Sequence, residues 1–182
     1  MANKGQQIFN KVTTDKITFL KTREETSGEL LQFENLHAAN GIGPAPHRHP
    51  LQEEVFIVQQ GILNITIEGN NYLLASGESI TVPADTMHCW KNGGTEELSL
   101  ITEFRPALHF EEIIETIAAL SQKNKVDKKG NPDPIQMSAT LNAYYGEFYL
   151  GTMPVAVQFF LFRFFGFFLR KIFRYSDYLK YK

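Results

Sequence analysis

The sequence predicts a mainly β fold, a barrel or jelly roll, followed by a helical C-terminal extension. Two observations carry that expectation. Between residues 16 and 105, short runs rich in β-branched and aromatic residues recur at near-regular spacing, punctuated by glycine, asparagine and proline. After Arg105-Pro106 the apolar spacing changes from strand-like to helical. With 182 residues the chain suits one domain with an appendage. It divides by composition into an N-terminal segment (1–27), a barrel (28–105) and a helical extension (106–182).

Residues 1–15 are polar and expected to be loosely held. Segments 16–22 (KITFLKT) and 28–36 (GELLQFENL) read as strands on either side of a Ser-Gly turn signal. HAANGIGPAP is a glycine- and proline-rich connection. EVFIVQQ is a strand from Glu54, with Glu54, Phe56 and Val58 on one face, ending at Gly61. GILNITIEG alternates Leu63, Ile65 and Ile67 against Asn64, Thr66 and Glu68, the pattern of a half-buried strand. Gly69-Asn70-Asn71 then turns the chain into a hairpin partner, NYLLASG. SITVP, MHCWKN and LSLITEF complete the strands.

Beyond Pro106, FEEIIETIAALSQK carries Phe110, Ile113, Ile114, Ile117 and Leu120 at helical spacing. Its acidic first turn complements the helix dipole. VDKKGNPDP is a loop. IQMSATLNAYYGEFYL reads as a second helix, with Leu141, Tyr144, Tyr145 and Phe148 on one side. A third helix is expected from Pro154, a favoured first-turn residue, through VAVQFFLFRFFGFFLRKIFRYSDYL.

The chemistry is concentrated in residues 41–61, GIGPAPHRHPLQEEVFIVQQG, and 77–92, GESITVPADTMHCWKN. His47, His49, Glu54 and His88 supply three imidazoles and a carboxylate, a donor set suited to a divalent first-row transition metal. His47 and His49 are two apart and face the same way on an extended strand. Glu54 lies five positions beyond His49, so a turn must intervene to bring it to the same side. Pro50 supports one. His88 must arrive by long-range sheet pairing.

The two segments have the forms G-x5-H-x-H-x4-E-x6-G (Gly41, His47, His49, Glu54, Gly61) and G-x5-P-x-G-x2-H-x3-N (Gly77, Pro83, His88, Asn92). Asp85 stands where the second pattern has Gly, and Asp tolerates the left-handed region better than most side chains. The chain therefore resembles a small single-domain cupin of the RmlC-like superfamily. The resemblance covers roughly residues 28–105 and implies a double-stranded β-helix, a jelly-roll barrel. The KG-x-P-x-P-x-Q loop at 129–136 and the Pro154-x3-Gln158 helix resemble a C-terminal extension seen on some small bacterial cupins.

The resemblance implies an ion (iron, manganese, nickel, copper or zinc) held by His47, His49, Glu54 and His88. It also implies a small organic molecule in the barrel interior. Phe56, Val58, Trp90 and Phe104 are the expected lining, so an aromatic or hydrophobic molecule is indicated. Cupins include dioxygenases, isomerases and decarboxylases. A metal-dependent dioxygenase- or isomerase-like activity is the leading expectation, with a non-catalytic ligand-binding or sensory cupin as the alternative. No catalytic group beyond the four ligands is visible in the motif strands. A homodimer is expected, because cupin barrels present an edge strand and an apolar sheet face.

Charge is nearly balanced, 18 Lys+Arg against 20 Asp+Glu, which gives no footprint for nucleic acid. The single cysteine, Cys89, excludes an intramolecular disulfide, and next to His88 on a strand it points away as a packed thiol. His37 and His109 suit ordinary strand or helix-entry positions. The opening residues hold no apolar run suited to a secretory signal, so a cytoplasmic location is expected.

More than half of the 15 phenylalanines lie between Phe159 and Phe173, and Arg163, Arg170 and Arg174 form one cationic stripe. Spanning a bilayer would place Arg163 near its centre at a cost of about 2.5–3.5 kcal/mol. Segment 154–174 can alternatively lie in a membrane interface, arginines toward phosphates. Packing against protein is the reading adopted, because burial is the commoner fate of such a stretch.

Overall fold

A computed structural model describes residues 2–160 apart from 40, 42, 133 and 152. Among the described residues, eleven strands and three helices follow in order. The strands are β1 (Gln7–Phe9), β2 (Lys16–Lys21), β3 (Leu31–His37), β4 (His47–Arg48), β5 (Glu53–Gln60), β6 (Ile62–Ile67), β7 (Asn70–Ala75), β8 (Ser79–Val82), β9 (His88–Asn92), β10 (Leu98–Arg105) and β11 (Tyr149–Leu150). The helices are α1 (Phe110–Gln122), α2 (Pro134–Ala143) and α3 (Val155–Phe159).

Two antiparallel sheets face each other, one ordered β1-β2-β3-β10-β5-β8 and the other β11-β4-β9-β6-β7. The pairing is non-local: β10 lies between β3 and β5, and β9 between β4 and β6. Alternation decides which side chains enter. Along β3 every second residue from Leu31 to His37 is buried, and along β5 Glu54, Phe56 and Val58 are buried.

One core cluster joins Phe56, Val58, Leu63, Ile65, Leu74, Val82, Leu98 and Leu100. A second joins Phe19, Leu31, Phe33, Phe104 and Ala107, with Ile8, Ile17, Phe110 and Ile114 packed on it. That second cluster corrects the expectation for the N-terminus. Residues 1–15 are polar on average, yet Ala2 is buried in this cluster, and β1 pairs with β2 through Ile8↔Ile17. Three alternating residues on a sheet edge suffice for a strand, and a composition average over fifteen residues conceals them.

Other local expectations hold with shifted boundaries. The strand expected at 28–36 starts at Leu31, because residues 23–29 form turns closed by Gly28 N–H to Arg23 O. The β6–β7 hairpin turns at Glu68-Gly69 (φ +48° and +81°), one residue earlier than Gly69-Asn70-Asn71. Two consecutive positive φ values give the twist that a two-residue hairpin requires.

The larger correction concerns residues 135–150. Helix α2 ends at Ala143, and the chain turns through Gly146 (φ +88°) into β11. An amphipathic run with aromatic residues suits either period, and here pairing with β4 decides for strand. Tyr144 is buried and donates to Glu112 Oε2 at 2.9 Å, whereas Tyr145 is exposed, so the two do not share a buried face.

Helix α1 forms as expected. His109 stands at its entry, donating its backbone N–H to Glu147 Oε2 at 2.8 Å, with its ring Nδ1 2.6 Å from Oε1. Of the Phe-rich segment, only the start, α3, is described. Leu161 onward, including Arg163, Arg170 and Arg174, lies outside the described residues. Among the described residues no helix is long and apolar enough to cross a membrane.

Candidate metal centre

His47 and His88 face each other across the β4–β9 pair in the five-stranded sheet. Glu54 comes from β5 in the opposite sheet, and His49 from the turn between β4 and β5. That turn is the one demanded by the odd His49–Glu54 spacing. Its geometry is held by Asp85, at φ +60°, whose backbone N–H donates to His49 O at 2.8 Å. Asp85 thus occupies the left-handed region where the pattern has Gly, and its carboxylate sits 3.3 Å from Arg48.

The motif asparagine has a structural task. Asn92 donates to the carbonyls of His37, Ala38 and Glu96 and accepts from Gly94 N–H, tying the end of β9 to β3. Gly61 ends β5 at φ +85°, and a Cβ there would lie 2.8 Å from Glu97 O, so a side chain is excluded on both counts.

One potential ligand atom from each of His47, His49, Glu54 and His88 lies within 4.8 Å of the others, and all four residues are buried. His47 Nδ1–H donates to Ala45 O at 2.9 Å, and His88 Nδ1–H to Thr86 O at 3.0 Å. Each ring therefore keeps Nε2 for the centre, the arrangement that orients metal-binding imidazoles. His88 Nε2 and Glu54 Oε2 lie 2.8 Å apart, within hydrogen-bond distance. Among the described residues both ring nitrogens of His49 are buried without a hydrogen-bond partner, Nε2 lying 3.6 Å from Glu54 Oε2. A buried polar atom left unpaired costs on the order of 1–3 kcal/mol. The donor set and this orphaned nitrogen both fit a transition metal ion.

Electrostatics agree. Burial, then the neighbouring His88 charge, pushes His47 down to about 3. Burial, followed by the charges of His47 and His88, holds His49 well below the ordinary imidazole value. Both are therefore neutral near pH 7, as metal ligands must be. Burial pushes the Glu54 carboxyl up, while its contact with His88 pulls it back. For His88, burial acts downward, but the hydrogen bond and charge of Glu54, with the Thr86 carbonyl, outweigh it and the net shift is upward.

The centre sits where the two core clusters meet. His88 packs edge-on against Phe56 (centroids 6.4 Å) and His49 edge-on against Phe104 (5.1 Å). Phe148, at the entry to β11, stacks on His47 at 5.1 Å and 21°. Its spacing predicts a helix face for Phe148, whereas the pairing of β11 with β4 brings it here.

A cavity of about 220 Å³ opens beside the four residues and is lined by His47 and Glu54. Phe56 and Trp90 are on its wall. Val58 and Phe104 are not on its wall: Val58 belongs to the first core cluster, and Phe104 is covered by Phe110, 4.0 Å between centroids. Helix α1 replaces them with Phe110, Ile113, Ile114 and Ile117, a face legible from its spacing though not from the motifs. Asn35 and Thr102 also line the cavity. Their inward positions follow from strand alternation, but nothing local marks them as cavity residues. Gly43 lets the 43–45 loop approach β9, since a Cβ there would fall 1.6 Å from Trp90 O.

His37 ends β3 as an inward-facing residue outside the cluster, its Nδ1 paired with Asp15 and its ring 5.1 Å from Trp90. Cys89 is partly buried on β9, paired in register with Thr66.

Residues 36–103 match a family model described as a cupin domain. Residues 36–103 are a cupin domain. The match runs from the end of β3 into β10 and contains all four site residues. Similar curated proteins cover parts of the same region. Mannose-1-phosphate guanylyltransferase of Escherichia coli K12 is 33% identical over 86 residues, 47% of this chain and 18% of that protein. Quercetin 2,3-dioxygenase of Bacillus subtilis 168 is 32% identical over 66 residues, 36% of this chain and 20% of that protein. This chain therefore spans about a fifth of the length of these relatives. A solved cupin-fold structure, described as a predicted oxalate decarboxylase from Thermotoga maritima, superposes with a TM-score of 0.50. It is 14% identical and covers 58% of this chain and 99% of its own, which speaks for the fold.

Proposed function

We propose that His47, His49, Glu54 and His88 hold a divalent transition metal, and that the adjoining cavity presents a small aromatic or apolar molecule to it for dioxygenase- or isomerase-type chemistry. His49 Nε2, unpaired among the described residues and set beside two imidazoles oriented by backbone carbonyls, carries the reading. Iron, manganese, nickel, copper and zinc all accept these donors. When bound, such an ion supplies a Lewis acid with positions open to substrate or dioxygen. The protein residues do the rest. Phe56, Trp90, Phe110 and Phe148 exclude water and favour a flat apolar substrate. The relative named as a quercetin 2,3-dioxygenase supports aromatic substrates as the first class to screen.

A second reading, binding or sensing without turnover, is favoured by one observation. Outside the four, the ionisable cavity residues among the described residues are Asp15 and Lys129. Asp15 is engaged by Thr13 and His37, and Lys129 sits on an exposed loop. Oxygen uptake with flavonols, catechols and β-diketones separates the readings. Uptake by the metal-loaded protein that disappears in His47→Ala/His49→Ala supports catalysis. Tight binding without turnover supports the second reading, and neither result sinks both.

The same proposal includes a twofold dimer working in the cytoplasm. Strand β7 ends the five-stranded sheet and exposes Tyr72 and Leu73, with Ile62 beside it on β6. Such an edge is normally covered. Light scattering at micromolar concentration is expected to give twice the chain mass; a monomer would refute the dimer.

A further inference from the structure

The cavity wall carries a polar group that the proposed metal chemistry does not use. Asn35 lies on β3, is only 4% exposed and lines the cavity, and its Oδ1 is buried without a hydrogen-bond partner among the described residues. Thr102, 2% exposed on the neighbouring β10, lines the same wall. Strand register locates both relative to the four site residues. Glu54 is opposite Phe104, Phe56 opposite Thr102, and Val58 opposite Leu100, which is in turn opposite Asn35. Thr102 is therefore one inward-facing step from the Glu54 row and Asn35 two steps, about 13 Å along the strands. Between them the cavity is apolar: Phe33, Phe56, Trp90, Phe110, Ile113 and Ile114.

An amide in that position destabilises the empty protein. Burying an unpaired polar group is unfavourable, and a leucine would fill similar space without that cost. The same amide becomes favourable when a ligand completes its hydrogen bonds, and it then discriminates strongly against a ligand that cannot. We infer that Asn35, with Thr102 beside it, is a specificity site for a hydroxyl at the end of the ligand remote from the four-residue centre. The ligand is thus an elongated, flat, apolar molecule on the order of 10 Å long with an O–H at its far end. A hydroxyl both donates and accepts, so it suits either face of the amide.

This inference rests on the proposed use of the cavity, and its test separates the two. Two probes of equal shape, 4-phenylphenol and 4-methylbiphenyl, are titrated into the protein as purified, with metal content measured in the same samples. The native chain is expected to bind the phenol about tenfold tighter, one net hydrogen bond's worth. Asn35→Leu is expected to bring the two probes within about twofold, to keep its metal content, and to melt no lower than the native chain. Asn35→Ser, which withdraws the amide without adding bulk, gives the same readout should the leucine variant fail to fold. A phenol preference retained in both variants places hydroxyl recognition elsewhere and overturns the inference, as does equal binding of the two probes, or of neither, by the native chain. A preference lost in the variants while metal is absent from every sample, even after reconstitution, upholds Asn35 and overturns the metal proposal instead.

Discussion

A His47→Ala/His49→Ala chain is expected to hold less than about a tenth of an equivalent of metal, while the native chain reconstitutes to near one. Two of four donors are removed, and one of them is the imidazole whose Nε2 has no hydrogen-bond partner among the described residues. The neutral state of both rings at pH 7 means that the native site binds without first expelling imidazolium protons from these two positions. Stability follows occupancy. An ion at one hundred times its dissociation constant adds about 2.7 kcal/mol to the native state, so chelation should lower the melting temperature of the native chain. The double variant should show no response to chelator. Fewer than about 0.1 equivalents in the reconstituted native chain would end the metal reading, whatever the variants do.

Gln158→Ala is expected to destabilise the protein by about 2–4 kcal/mol, a fall in melting temperature on the order of 10 °C for a chain of this size. Gln158 is fully buried on α3. It accepts from Leu150 N–H at 3.0 Å and donates to the carbonyls of Leu150 and Met153, both at 2.7 Å. Its amide thereby bonds both backbone groups of Leu150 as a neighbouring strand would, clamping β11, the strand that follows Phe148 and pairs with β4 at His47. Metal content should survive the substitution, because His47 remains paired with His88 through β4 and β9. Ending the chain at Phe160 keeps the clamp, whereas ending it before Pro154 removes it. The second truncation is therefore expected to reproduce the loss. An unchanged melting temperature in that truncation, together with salt-sensitive liposome binding by the full chain, would favour membrane attachment of segment 154–174 over packing.

Much of the architecture follows from local chemistry. Alternation in GILNITIEG and LSLITEF, the Glu68-Gly69 turn, and the helical spacing of Phe110, Ile113, Ile114 and Ile117 each depend on a period or a turn preference contained within a few residues. The four site residues were legible for a related reason. His47 and His49 share a face, Pro50 forecasts the turn that reverses Glu54, and the second motif supplies His88 with Asp85 in a conformation that aspartate tolerates.

What borders those residues was decided by the tertiary structure. Val58 and Phe104 alternate inward as predicted, yet the cavity lies elsewhere because α1 lays Phe110 over Phe104. Phe148 lies outside its expected helix because the two residues after it, Tyr149 and Leu150, pair with β4, which itself pairs with β9. Asn35 looks like any inward strand residue until β3, β10 and α1 surround it and leave its Oδ1 unpaired. The sequence by itself therefore determined the strand and helix periods, the principal turns and the four convergent donors, because those depend on neighbours along the chain. The cavity, its aromatic cover and its buried amide required the tertiary structure, since a cavity is space left between elements distant in sequence, and no local pattern records which surfaces remain uncovered.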